Sequence, residues 1–172
     1  ITVECNTSTD PAATGSATAT DNCGQVTITF QDGDPTYDPD CPQAYYFTRT
    51  WTAEDECGNS SSCPQVITVE DSTPPVITCP ADITIECDES IDPSINLELG
   101  VATGTDNCGL VTITLLDGDP TYDPECPQGY VFTRTWTAED ECGNSSSCPQ
   151  VITVEDSTPP VITCPADITI EC

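Results

Sequence analysis

The chain has 172 residues, with 30 Asp and Glu against two arginines (Arg49 and Arg134), neither lysine nor histidine, and a formal charge of −28. Such a surface repels nucleic acid and anionic membranes and attracts cations, and the chain lacks histidine, the side chain that most often serves in general acid–base catalysis. Val, Ile, Leu and Phe number only 32, so burial alone leaves a marginal core, and the thirteen cysteines supply crosslinks of the kind that persist in an oxidising, extracellular setting.

In chain order, the motif Ile1-Thr-Val-Glu-Cys5 returns as Ile83–Cys87 and as Ile168–Cys172. Residues 21–87 recur as 106–172, offset by 85, with differences only at Gln25/Leu110, Phe30/Leu115, Gln31/Leu116, Asp40/Glu125, Ala44/Gly129 and Tyr46/Val131. The chain therefore reads as a stretch of a tandem array. Residues 1–71 form a repeat that lacks its first strand, 72–156 a complete repeat, and 157–172 the first strands of a following one. No run of helical periodicity appears, and β-branched residues with turn formers predict an all-β sandwich. In the complete repeat the strands are Val76–Cys79, Ile83–Cys87, Val101–Thr105, Leu110–Leu116, Tyr130–Glu139 and Gln150–Glu155. Turns fall at Asp106-Asn-Cys-Gly, Asp117-Gly-Asp-Pro and Cys142-Gly-Asn-Ser. Strand alternation puts Tyr130, Phe132, Arg134, Trp136 and Ala138 on the core face. Arg134 there either takes a carboxylate or the Trp136 ring as partner or stands at the sandwich edge with its head in water, the reading the sequence favours.

Thr-Asp-Asn-Cys-Gly (105–109), Arg-Thr-Trp-Thr-Ala-Glu-Asp-Glu-Cys-Gly-Asn (134–144) and Val-Glu-Asp-Ser-Thr-Pro-Pro-Val-Ile-Thr-Cys-Pro (154–165) resemble the hyalin-repeat-like, immunoglobulin-like modules of large bacterial surface adhesins. The resemblance covers essentially the whole chain. It implies disulfide-crosslinked immunoglobulin-like β-sandwiches strung in long arrays on secreted or surface-anchored proteins, including adhesins of gliding bacteria.

Cys126 and Cys142 flank the long Trp136 strand, which spans roughly 30–40 Å, so they cannot meet the ~7 Å limit of a disulfide. The layout that the resemblance implies gathers Cys79, Cys108, Cys142 and Cys148 at the leading end of the module and Cys87 and Cys126 at the other. It favours Cys79–Cys148, Cys108–Cys142 and Cys87–Cys126, with Cys5–Cys41 and Cys23–Cys57 in the first copy, and leaves Cys63 to a cysteine ahead of Ile1. A local Cys142–Cys148 bridge is the alternative. Zinc is not expected, because the paired Cys-x-x-Cys spacing and histidine are both missing.

Carboxylates cluster at Asp32, Asp34 and Asp38, at Glu54-Asp55-Glu56, at Glu70-Asp71 and at Asp21, and again 85 residues later at Asp117, Asp119, Asp123, Asp140, Glu155, Asp156 and Asp106-Asn107. The expected topology brings the Asp32–Asp40 loop, the Glu70-Asp71 linker and the Asp106, Asn107 and Asp140 turns to one joint, where hard oxygens from several segments suit calcium. The layout looks like the calcium-rigidified joints of cadherin-like arrays. The alternative is a solvated acidic coat that maintains solubility. Thr73-Pro-Pro75 and Thr158-Pro-Pro160 stiffen the linkers. Asp71-Ser72-Thr73 and Asp156-Ser157-Thr158 resemble a short O-glycan acceptor pattern, with Ser72 and Ser157 as acceptors, and an Asp/Ser turn before proline accounts for them equally well.

These features point to a non-enzymatic structural segment of an extracellular filament or adhesin stalk. Its partners are neighbouring repeats and other copies of the chain. The other reading is an adhesive module in which each repeat contacts a cell-surface glycan or protein. Neither nucleic acid nor a membrane span is expected.

Overall fold

The computed structural model describes residues 1–170; the last two residues of the expected third-repeat strand lie outside them. The first repeat contributes β1 (Thr2–Glu4), β2 (Val26–Asp32), β3 (Thr36–Tyr37), β4 (Tyr45–Asp55) and β5 (Ser60–Glu70), and one helical turn, Pro11–Thr14. The second contributes β6 (Val76–Thr78), β7 (Ile83–Glu86), β8 (Thr103–Thr105), β9 (Val111–Asp117), β10 (Thr121–Tyr122), β11 (Tyr130–Asp140) and β12 (Ser145–Glu155). The architecture is all-β and immunoglobulin-like, as expected.

In each repeat two eleven-residue strands form a long hairpin, β4–β5 or β11–β12, which is the spine of a five-stranded sheet. The expected strand at Gln150 begins earlier, at Ser145. Pro149 is accommodated because β7 pairs only with Ile152–Glu155, leaving the first half of β12 without a partner on that side. The hairpin turn is built by Asp140: Oδ1 accepts from the Cys142 and Asn144 N–H groups at 2.8 and 2.9 Å, and Oδ2 from Asn144 Nδ2 at 2.9 Å. Gly143 supplies the positive φ of 86° this turn needs. Asp55, Asn59 and Gly58 repeat the arrangement.

Alternation along β11 holds as read: Phe132, Arg134, Trp136 and Ala138 are buried and the intervening residues are not. Phe132 packs with Ile85, Leu99, Ile152 and Val154. Trp136 Nε1 donates to Gln150 Oε1 at 3.1 Å, and Gln150 Nε2 donates to the Ala81 and Leu99 carbonyls. A fully buried amide thus costs little, because its donors and its acceptor are used.

The second layer differs between the repeats. In the second, β6 and β8 pair antiparallel, with Ile77 opposite Gly104, and β6 lies against β11 and β12. A Cβ on Gly104 would come within 2.8 Å of Val111, so β8 lies close against the sheet. The first repeat has Ala19 at this position, residues 18–20 are not a strand, and no β6 counterpart is present among the described residues.

Candidate functional site at the joint between the repeats

Three disulfides form among the described residues. Cys79–Cys148 ties β6 to β12 (Cα–Cα 6.2 Å), as expected. The other two cross from one repeat to the next: Cys5–Cys108 (5.9 Å) and Cys41–Cys142 (4.4 Å). The expected Cys108–Cys142 and Cys5–Cys41 bridges are therefore corrected, as is the alternative Cys142–Cys148. The reason is geometric: Cys5 and Cys41 sit at the trailing end of the first repeat, and the linker sets that end against the turns that carry Cys108 and Cys142. Cys23, Cys57, Cys63, Cys87, Cys126 and Cys164 are free, so the expected Cys23–Cys57 and Cys87–Cys126 pairs are not formed.

Polar contacts run alongside the bridges. Gln43 Nε2 donates to Glu141 Oε2 across the joint. Asn144 Nδ2, besides closing its own turn, donates to the Asp71 carbonyl at 3.0 Å, and Ser146 Oγ donates to the Pro75 carbonyl. Asn107 lies against the Cys5–Cys108 bridge, its Nδ2 being 3.5 Å from Cys5 Sγ. Replacing Cys5, Cys41, Cys108 and Cys142 together by serine is expected to leave both sheets folded while freeing the joint. Proteolysis within Ser72–Pro75 should rise at least tenfold, with a broadened distance distribution in small-angle scattering. Unchanged cleavage and dimensions would mean that the polar contacts and prolines hold the joint without the bridges.

Asp71 and Asp140 are the acids buried here, Asp71 being 8% exposed. Asp71, Asp140 and Cys142 form one close group, and Cys5, Asp71 and Cys108 a second, each with its ligand atoms within 4.8 Å. The sulfurs are committed to disulfides, which leaves the carboxylates as the candidate ligands. Asp106 has one oxygen bonded to the Cys108 N–H at 3.1 Å, while the other is buried without a partner. Burial pushes the Asp71 carboxyl above its ordinary range; the Thr73 N–H opposes this, and Asp106, Asp140 and Glu4 add repulsion. Glu4 was missed in the sequence, although the motif Ile-Thr-Val-Glu-Cys sets it beside a joint cysteine.

Other expected ligands are elsewhere. Asp32 and Asp117 are withdrawn from the metal set, because both oxygens of each bind an arginine: Arg49 Nε at 2.6 Å and Nη2 at 2.9 Å, and Arg134 at the same distances. Arg49 holds the Asp32 carboxyl below its usual range. Both guanidiniums are buried, so the arginine head does not stand in water at the sandwich edge. Asp34, Asp38, Glu70, Asp119, Asp123 and Glu155 are exposed and join neither group of close ligands. Asp21, Asp55 and Asp156 are the repeat counterparts of Asp106, Asp140 and Asp71, at the two open ends. Ser72 and Ser157 are exposed, and their hydroxyls donate to Glu4 and Glu86.

No protein-family model matches the chain. It is similar to hyalin of Strongylocentrotus purpuratus, 34% identical over 155 residues, covering 87% of this chain and 12% of that protein. It is also similar to hyalin of Lytechinus variegatus, 30% identical over 155 residues, covering 88% of this chain and 28% of that protein. The chain thus spans a small part of the relatives it matches. Neither relative is bacterial, so the expected bacterial attribution gains no support. Among solved structures, Drosophila N-cadherin EC1-4 aligns with 90% of this chain and 47% of its own, at 15% identity and a TM-score of 0.39. Human mucin-like protocadherin EC1-2 aligns with 91% and 95%, at 13% identity and a TM-score of 0.35. Among the described residues no helix is long and apolar enough to cross a membrane. By sequence the chain is similar to hyalin, and it is an extracellular, disulfide-bridged pair of hyalin-repeat-like, immunoglobulin-like modules.

Proposed function

We propose that the chain is a structural segment of an extracellular filament or stalk, with joints made stiff by paired disulfides and by calcium. The observation that carries this reading is the double crosslink Cys5–Cys108 and Cys41–Cys142 across one linker. One bridge leaves a swivel; two fix the relative orientation of the modules. Prolines 74 and 75 add backbone stiffness between them.

The residues at the joint fit calcium by their chemistry. Asp71 is buried beside Asp140, Asp106 keeps an unpartnered buried oxygen, and neither arginine reaches these acids. Asp71, Asp106 and Asp140, with Glu4 beside them, would hold the ion, and backbone carbonyls and water would complete the roughly six to eight oxygens it takes. Its charge would offset the repulsion that now falls on Asp71.

Two signs follow for melting experiments. Because the folded chain holds the Asp71 proton to a higher pH than the unfolded chain does, it binds more protons across that window. Without calcium, stability therefore falls as pH rises from the ordinary carboxylate range through the raised Asp71 value. Asp71→Asn removes that loss. In chelator at neutral pH the variant should melt no lower than the parent, and acidification should help it less. In calcium the parent should gain several degrees and the variant almost none. A parent melting temperature that ignores calcium would overturn the calcium part of this reading and leave the disulfide part standing.

One observation favours the adhesive alternative. Tyr37 and Tyr122, both 61% exposed, each rim an open cleft, of about 310 and 430 Å³, at the trailing end of their repeat. An exposed aromatic repeated in this way suits a glycan ring or an apolar side chain of a partner.

A further inference from the structure

One cleft recurs at the trailing end of both sheets, about 310 Å³ in the first repeat and about 430 Å³ in the second. It belongs to the repeat itself. The second repeat forms it with β6 to β12 all in place, and the first keeps it beside the joint, where Cys41 is bridged and Asp71 is buried. One wall is an aromatic pair. β3 sets Tyr37 opposite Tyr45 in β4, with ring centres 5.4 Å apart, and β10 sets Tyr122 opposite Tyr130 in β11, at 5.5 Å. The inner ring of each pair is half-buried, while Tyr37 and Tyr122 stay open to solvent.

Carboxylates line the same clefts: Asp38 and Glu70 in the first, Asp123 and Glu155 in the second. The chain has no cation to give them. Arg49 and Arg134 are buried and paired with Asp32 and Asp117, and there is neither lysine nor histidine. By its ring alone such a cleft suits a sugar or an apolar side chain, but the acids narrow the choice. An apolar group would strip water from the carboxylates and return nothing, and a neutral sugar would leave their charges unmatched. A planar cation answers ring and acids together.

The same strands already hold such a group. Further along the face of β4 that carries Tyr45, the Arg49 guanidinium lies 5.8 and 5.9 Å from the ring centres of Phe47 and Trp51 and is paired with Asp32. Arg134 stands between Phe132 and Trp136 in the same way, paired with Asp117. At the trailing end the ring and the carboxylates recur without the guanidinium.

We propose that each cleft is a docking pocket for an arginine side chain of a partner protein, its guanidinium over Tyr37 and paired with Asp38 and Glu70, or over Tyr122 and paired with Asp123 and Glu155. The partner is a basic segment of a different protein, because a second copy of this chain offers no exposed arginine. One pocket per repeat lets weak single contacts add by avidity. The inference rests on the adhesive reading of these clefts and not on calcium.

The test follows the tyrosine ring signals of the full chain by NMR, in chelator, as the peptide acetyl-Gly-Arg-Gly-amide is added at about 150 mM salt, where the field of charges beyond about 8 Å is screened. The Tyr37 and Tyr122 signals should shift and saturate, and the same peptide with neutral citrulline in place of arginine should leave them unmoved. Asp38→Asn with Glu70→Gln should weaken the Tyr37 response roughly fivefold, the size of two exposed ion pairs. The Asp38 carboxylate accepts from the Asp40 N–H at 2.9 Å, a bond the amide keeps. The Tyr122 response of the same variant should not change, which separates lost docking from lost folding. Citrulline acting as well as arginine, or an undiminished Tyr37 response in the variant, would overturn the proposal. Methyl glycosides of neutral hexoses form a second arm. Ring shifts with the glycosides but not with arginine would overturn this inference and leave the adhesive reading standing, and shifts with neither would overturn both.

Discussion

Arg134→Leu is expected to lower the unfolding free energy of the second repeat by about 3 kcal/mol, the lower end of the range for breaking a buried ion pair. Arg134 is 1% exposed. Its Nε and Nη2 form a bidentate pair with Asp117, and Nη2 also donates to the Ile91 carbonyl at 2.8 Å. Phe132 and Trp136 flank it at 5.9 and 5.8 Å from their ring centres. Leucine fills part of the volume but strands the Asp117 carboxylate and the Ile91 carbonyl. Asp117 retains 31% of its side-chain exposure, so water recovers part of the loss, which sets the estimate at the lower end. Replacing both partners, Arg134→Met with Asp117→Leu, should return stability to within about 1 kcal/mol of the parent, because an apolar pair needs no desolvation offset. Urea unfolding followed by Trp136 fluorescence measures both. A single-substitution loss under 1 kcal/mol would show that the pair fixes register without holding the fold.

That pair also shows what the sequence makes legible and what it conceals. Alternation along residues 130–138 placed Arg134 on the core face, because the period of a strand is local. Its partner was hidden, because the register that sets Arg134 opposite Asp117 is a tertiary property, and Asp117 read as one more carboxylate in an acidic loop. Gln150 was not expected in the core at all; only the Trp136 indole and two carbonyls meeting there make an amide acceptable.

The cysteines carry a similar lesson. Cys79–Cys148 was legible because the sandwich layout brings both to one end of one module. The joint bridges were missed by treating each module as closed, even though the acidic loops at its trailing end were expected to meet the leading turns of the next. The same juxtaposition applied to the cysteines in those segments gives Cys5 and Cys41 against Cys108 and Cys142. Of the carboxylates expected to bind calcium, the linker acid Asp71 and the turn acids Asp106 and Asp140 lie near one another, whereas the Asp32–Asp40 loop brings its cysteine to the joint and its Asp32 binds Arg49.

Removing Cys79–Cys148 by serine at both positions is expected to cost the second repeat about 4 kcal/mol, from the loop entropy returned to the unfolded chain across a separation of 69 residues. For a domain of this size that is a fall in melting temperature of roughly 20 °C. The first repeat is a built-in reference. It has the same hairpin and the same Trp–Gln contact, but its Cys63 is free and the β6 position is open. Calorimetry of the parent should therefore show two transitions, the first repeat melting below the second, and the double serine variant should move the upper transition down toward the lower one. If the upper transition stays in place without the bridge, the loop is already restrained in the unfolded chain, and the crosslinks of this protein would act chiefly on the joints between its modules.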